Sequence, residues 1–240
     1  MKHTPSKAFE IVSEFEAAIG EYTGAPSVVA VNSCTMALRL CLDWQKGKWC
    51  TYPYGEGVTV MIPRRTYLSV PMQIKKAGFN VAFREVNWEG CYQLRPFPIW
   101  DSARQFTSKM FDEFKYLETP GFVCVSFYSG KPLSLKRLRN IGHSDGIKVG
   151  EPRWDIEQGG AILHNAGPEA DHFFRAMRHD GRIEGQLPSN ESVRLLGHHC
   201  YMNPASARLG LHLLRKLPKH NPPLPNDPNW PDLSTFSVFK

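Results

Sequence analysis

Apolar side chains at Phe9, Val12, Phe15 and Ile19 recur at three- and four-residue spacings behind Thr4, Pro5 and Ser6, which predicts an amphipathic helix over 5–20. Gly24 interrupts it. The short β-branched run 27–31 then ends at the polar residues Asn32, Ser33, Cys34 and Thr35 and gives way to a helical stretch over 36–44. The pattern repeats with a strand over 58–62, a turn over 63–66 and a helix over 67–77 closed by Gly78 as C-cap. A strand is predicted at 81–86, Pro98, Ile99 and Trp100 lead into Asp101, and the continuous apolar run 121–125 ends at Ser126 and Phe127. A last strand at 160–163 precedes helices at about 168–178 and 204–217.

Apolar runs alternating with amphipathic helices predict an α/β fold of three layers, a mostly parallel sheet with helices on both faces. Ligands in such folds sit beyond the carboxyl ends of the strands. That singles out Ser33, Cys34, Thr35, Thr66, Tyr67, Asp101, Ser126 and Lys131. The expected organisation is one domain over 1–217 and a tail over 218–240. Six prolines between Pro218 and Pro231 exclude helix or central strand there. Trp230, Phe236 and Phe239 are apolar anchors that should pack the tail on its own or a partner subunit.

The composition, 42% hydrophobic and 22% charged over 240 residues, excludes a disordered, collagen-like or coiled-coil chain. No window approaches eighteen apolar residues, and acidic residues stand where a signal peptide needs its apolar stretch, so the chain reads as cytoplasmic with no membrane partner. Six cysteines without a CxxC pair read as reduced thiols. A net charge of +6 favours anionic partners, but an excess of this size is more often a solubility feature; nucleic acid is possible and not favoured. His198, His199 and Cys200 lack metal-ligand spacing, so no metal is expected. Arg137, Arg139 and the nearby lysine read as a solvated strip ahead of a phosphate patch.

Three constellations carry chemistry. Ser33, Cys34 and Thr35, at a strand end and helix start, fit a phosphate site and equally a plain N-cap. Asp101 fits a partner for a cationic ring nitrogen or, again, an N-cap. Lys131, five residues after the end of a buried strand at Ser126, fits a partly desolvated amine or a surface loop lysine.

Their order and spacing resemble the DegT-like nucleotide-sugar aminotransferases, fold-type I pyridoxal phosphate (PLP) enzymes, over about residues 8–217. VAVNSCTMAL at 29–38 resembles the family's strand and phosphate turn. Ile62 to Tyr67 is similar to its Pro-x-x-Thr-aromatic segment, Asp101-Ser102-Ala103 to its Asp-Ala-Ala, and Ser126-Phe127 with Lys131 to its Ser-Phe-x-x-x-Lys motif. Gly159-Gly160-Ala161 looks like the Gly-Gly-Ala strand that follows.

The resemblance implies Lys131 as Schiff-base lysine, Asp101 on the pyridinium nitrogen and Tyr67 stacked on the ring. Ser33, Cys34, Thr35 and Ser126 would hold the phosphate. Arg104 stands where the family has Gln or His beside the cofactor's hydroxyl, and His199 where it has an Asn reaching the phosphate across a dimer interface. Cys34 replaces a glycine of the phosphate turn, adding a side chain where backbone must approach closely. Extra residues lie between Lys131 and Gly159, and the chain stops where most relatives continue into a smaller domain. The implied function is amino transfer from glutamate to a nucleotide-linked keto sugar by a homodimer. A PLP-dependent decarboxylase, lyase or aminotransferase acting on a modified nucleotide or nucleic acid is the alternative, followed by a non-catalytic scaffold.

Overall fold

Strand β1 (Ser27–Val31) shows why its sequence does not alternate between apolar and polar: both faces are covered. Val28 and Ala30 pack into one apolar cluster and Val29 and Val31 into another. The computed structural model describes residues 7–49, 57–114, 119–139, 153–156, 158–184, 186, 188–189 and 191–240. Cys50, one of the cysteines read as reduced, lies outside them. On the first face of the sheet lie α1 (Lys7–Thr23) and α5 (Pro204–Leu214); on the second lie α2 (Cys34–Trp49), α3 (Ser69–Lys76) and α4 (Gly167–Arg178). The expected three layers are therefore present.

The remaining strands are β2 (Thr59–Pro63), β3 (Asn80–Arg84), β4 (Tyr92–Gln93), β5 (Ile99–Asp101), β6 (Phe122–Ser126), β7 (Lys136–Arg139), β8 (Arg153–Ile156) and β9 (Gly160–His164). Four of them join β1 in a five-stranded sheet of order β1-β9-β6-β5-β4. Its hydrogen-bond ladders correct the mostly parallel expectation: β1 with β9, β9 with β6 and β5 with β4 are antiparallel, and only β5 with β6 is parallel. The directions of the strands account for this. β9 runs opposite to both neighbours, so β1 and β6 point the same way as β5. The pair β2-β3 is parallel, and β2 meets the residue after next beyond β4, Arg95, through an antiparallel bridge at Met61, which turns β2 the same way as β5. The carboxyl ends of β1, β2, β5 and β6 thus share one side, although the intervening β9 makes the ladders antiparallel.

Between Lys131 and Gly159, β7 and β8 pair antiparallel as a two-stranded sheet separate from the main one. Helix α3 begins at Ser69, two residues later than the periodicity predicts, which leaves Tyr67 outside it. Its other end is as expected. Gly78 takes φ +89°, donates to the Lys75 carbonyl at 3.0 Å, and Phe79 donates to Ile74 at 3.1 Å, the paired bonds of a left-handed C-terminal stop.

Buried charge ties α1 to α4. Glu16, 5% exposed, accepts from the Ala30 amide at 2.8 Å and from Arg175 at 2.9 Å, and also pairs with Arg178. Arg178 reaches Glu184 at 2.7 Å, and Arg175 reaches Asp171 at 2.7 Å. Burial raises the Asp171 carboxyl, but His164 and Arg175 outweigh it and bring it to about 2. Glu184 is likewise raised by burial and then held at about 2 by His179 and Arg178. Carboxyls depressed in the folded state stabilise it above their unfolded pKa values of about 4, and that contribution is lost as pH falls through the folded values. Thermal melts should therefore show the melting temperature falling between about pH 5 and pH 2, and the fall should shrink in Asp171→Asn.

Candidate active site

The shared side of the strand ends opens a cavity of about 460 Å³. Its first wall is the start of α2. Ser33 is the N-cap there: its Oγ accepts from the Met36 amide at 3.3 Å. The amides of Cys34 and Thr35 have no partner among the described residues, and both residues line the cavity. The N-cap and phosphate-site expectations are therefore compatible, because capping uses the Met36 amide and leaves two others free. The Thr35 hydroxyl is 2.8 Å from that of Ser69, joining the starts of α2 and α3.

Cys34 does not crowd this turn. Its thiol points into the core, 3.5 Å from the Cys124 carbonyl and 4.0 Å from Asp101 Oδ1, and burial, followed by the charge of Asp101, pushes it well above the usual thiol range. Close backbone approach is supplied by Gly160 instead. A Cβ there would lie 2.4 Å from the Cys34 nitrogen, 2.6 Å from the Ser33 carbonyl carbon and 2.8 Å from the Val125 oxygen, all backbone atoms. Gly160→Ala should cost about 2–3 kcal/mol or more of stability, read in denaturant unfolding, and should weaken phosphate binding with it.

Asp101 ends β5 and is 4% exposed. Its Oδ1 accepts from the Ala103 amide at 3.0 Å and its Oδ2 from the Tyr92 hydroxyl at 2.8 Å. Tyr92 spends its only proton on that bond, so the Thr66 hydroxyl, 2.6 Å away, donates to Tyr92. Burial raises the Asp101 carboxyl, against the Ala103 amide, the Tyr92 hydroxyl and the charge of Lys131. Tyr92 was missed by sequence reasoning. It sits on a two-residue strand with no periodic signal, and only its fixed register opposite Asp101 brings the groups together.

Lys131 follows a tight turn in which Gly130 takes φ +82° and the Lys131 amide donates to Tyr128 at 3.1 Å. Burial lowers its ammonium, the charge of Arg104 lowers it further, and Asp101 opposes both. Ser126, the last residue of β6, is buried and lines the same cavity. Tyr67 stands at the mouth, 58% exposed.

Of the residues singled out, Ser33, Cys34, Thr35, Tyr67, Asp101, Arg104, Ser126 and Lys131 meet at this one cavity. His199 does not. It pairs with Asp180 at 3.1 Å and is 67% exposed there, whereas the adjacent His198 turns to Asp43 at 3.0 Å. The cavity gains two aromatic walls that the motifs did not contain, Trp88 and Trp230. Trp230 belongs to the Pro-rich tail, which packs on its own chain: Leu233 is fully buried, its amide donates to the Arg64 carbonyl at 2.9 Å, and Phe239 meets Phe83 edge-on at 5.8 Å.

The fold is similar to that of solved aminotransferases. A DegT DnrJ EryC1 StrS aminotransferase from Brucella abortus is 18% identical at a TM-score of 0.58, with 86% of this chain and 58% of that one covered. A sugar aminotransferase from Micromonospora echinospora is 15% identical at 0.57, covering 86% and 60%. NtdA from Bacillus subtilis, solved with the cofactor PMP bound, is 15% identical at 0.58, covering 86% and 48%. The chain thus spans roughly half to three-fifths of the length of these structures. No curated protein matches it by sequence. No helix among the described residues is long and apolar enough to cross a membrane. Residues 5–151 match the sequence model of the DegT/DnrJ/EryC1/StrS aminotransferase family, and together with the fold and the cavity this places the chain in that family.

Proposed function

We propose that this protein is a PLP-dependent aminotransferase that passes an amino group from glutamate to a keto sugar carried on a nucleotide. The observation that carries the proposal is the meeting of Lys131, Asp101 and two free α2 amides at one cavity. The residues fit the cofactor. The free amides of Cys34 and Thr35, with the hydroxyls of Thr35 and Ser126, are donors available to a phosphate, and the Ser33 hydroxyl, which donates to Asn32 Oδ1 at 3.1 Å, would have to rotate to join them. Asp101 is a buried carboxylate whose two hydrogen bonds leave lone pairs for a third donor, the ring N–H. Tyr67 offers an exposed aromatic face for stacking.

When bound, PLP supplies an electron sink for the negative charge that develops at the amino-bearing carbon. The chain's residues do the rest. Lys131 would anchor the cofactor covalently and, once freed by the amino donor, would shuttle the proton between that carbon and the cofactor; its partly desolvated amine suits both tasks. Asp101 would keep the ring nitrogen protonated. Arg104 would lie beside the ring. His199, turned away from its own cavity, would serve the phosphate of a second copy in a homodimer.

Protein purified with PLP should keep visible absorbance after dialysis and should convert glutamate to 2-oxoglutarate when given a nucleotide-linked keto sugar. Loss of colour on dialysis overturns the proposal. Light scattering should give twice the chain mass; a loaded, active single chain would remove His199 from the site.

A further inference from the structure

Arg104 enters the cavity as a cation with no carboxylate partner among the described residues, and its Nε is buried without a hydrogen bond. A guanidinium left so is costly to desolvate, and an incoming anion would satisfy it. It is also oriented. Its Cζ lies 5.5 Å from the centroid of the Trp230 ring, which backs the planar fork. Trp230 in turn packs on Trp88 with centroids 6.0 Å apart and planes at 28°.

The C-terminal segment is fastened around this pair. The Leu224 amide donates to the carbonyl of Arg104 itself at 2.9 Å, Arg65 donates to the Trp230 carbonyl at 2.8 Å, and the Asn226 amide group donates to the Arg65 carbonyl at 3.2 Å. The segment thus holds Arg104 by backbone and by ring. The phosphate of a cofactor has its own donors at the start of α2, which leaves this guanidinium for a second anion.

Building on the aminotransferase proposal, we propose that Arg104, backed by Trp230 of the C-terminal segment, recognises an oxyanion of the substrate, a carboxylate or a phosphate ester, in the cavity that holds Lys131. The guanidinium fork matches either oxyanion in a bidentate contact. Trp230 acts as a positioning residue: it fixes the plane of the fork and touches no reacting atom.

The test titrates PLP-loaded protein with glutarate, standing for a donor carboxylate, and separately with UDP, standing for a nucleotide phosphate, and follows binding by calorimetry and tryptophan fluorescence. At least one should bind saturably and change the fluorescence, and the one that does identifies the source of the oxyanion. Arg104→Gln should weaken that binding by about tenfold or more, with Arg104→Lys in between because it keeps the charge and loses the fork. Trp230→Ala should weaken it too, more for the wild-type Arg104 than for Arg104→Lys.

Should Arg104→Gln fail to fold, phenylglyoxal labelling of the wild-type protein gives the answer, because the bound anion should protect Arg104 in a peptide map. Binding of neither anion, wild-type affinity in Arg104→Gln, or labelling unaffected by the anion would overturn the inference. Protein that never retains PLP would instead fail the proposed function itself.

Discussion

Lys131→Ala should eliminate covalent cofactor attachment and reduce turnover by at least about 1,000-fold, because only an amine can form and exchange that bond and the same group carries the proton. The expected spectrum is that of freely dissociable PLP, removed by dialysis. Borohydride reduction of the wild-type protein should fix the cofactor to the peptide containing Lys131. Label on a different lysine would displace Lys131 from this role. The geometry makes the result specific: among the described residues Lys131 is the lysine that lines the cavity, and burial and Arg104 both lower its pKa. Part of the amine is then unprotonated nearer to neutral pH, as a nucleophile requires.

The second large effect is at Asp101. Asp101→Asn should leave the fold and cofactor content nearly unchanged while cutting turnover about 100-fold or more, the scale of losing one charge-matched contact in a buried site. Near wild-type turnover would return Asp101 to an N-cap role. Tyr92→Phe sharpens the test. Burial pushes the Asp101 carboxyl up and the Tyr92 hydroxyl pulls it down, so removing that hydroxyl should move the acidic limb of the pH-rate profile to higher pH. An unmoved limb would mean that the limb reports a different group.

The main elements were legible because their signals are local. The spacing of Phe9, Val12, Phe15 and Ile19 marks α1, and the β-branched run 27–31 marks β1. Gly78 marks the end of α3 through its left-handed backbone. The residues at strand ends follow from the same signals, which is why Ser33, Asp101 and Ser126 were found. What escaped depends on register or on chain distant in sequence. β4 is two residues long, so Tyr92 carried no pattern, and the direction of β9 cannot be read from an apolar run. Trp230 announced itself as an apolar anchor, but its placement against Arg104 needed the tail's hydrogen bonds to residues 64, 65 and 104. The inward turn of Cys34 depends on the space beside Cys124, which one-dimensional spacing does not contain.

The place of β9 has a kinetic consequence. Ser27 pairs with His164 across more than half the chain, and the same strand supplies the neighbour that β6 needs on its other edge. On the ribosome, β1 and β6 are both made before the strand that joins them, each with an open edge and an apolar surface on either side. Pairings this remote in sequence slow folding, because loop entropy is lost before the contacts form. Gly160, which braces the turn at residues 33–35, arrives with that same strand. The cavity at the strand ends is therefore expected to be completed late as the chain folds, and aggregation through the unpaired edges of β1 and β6 is the hazard of the interval before it is.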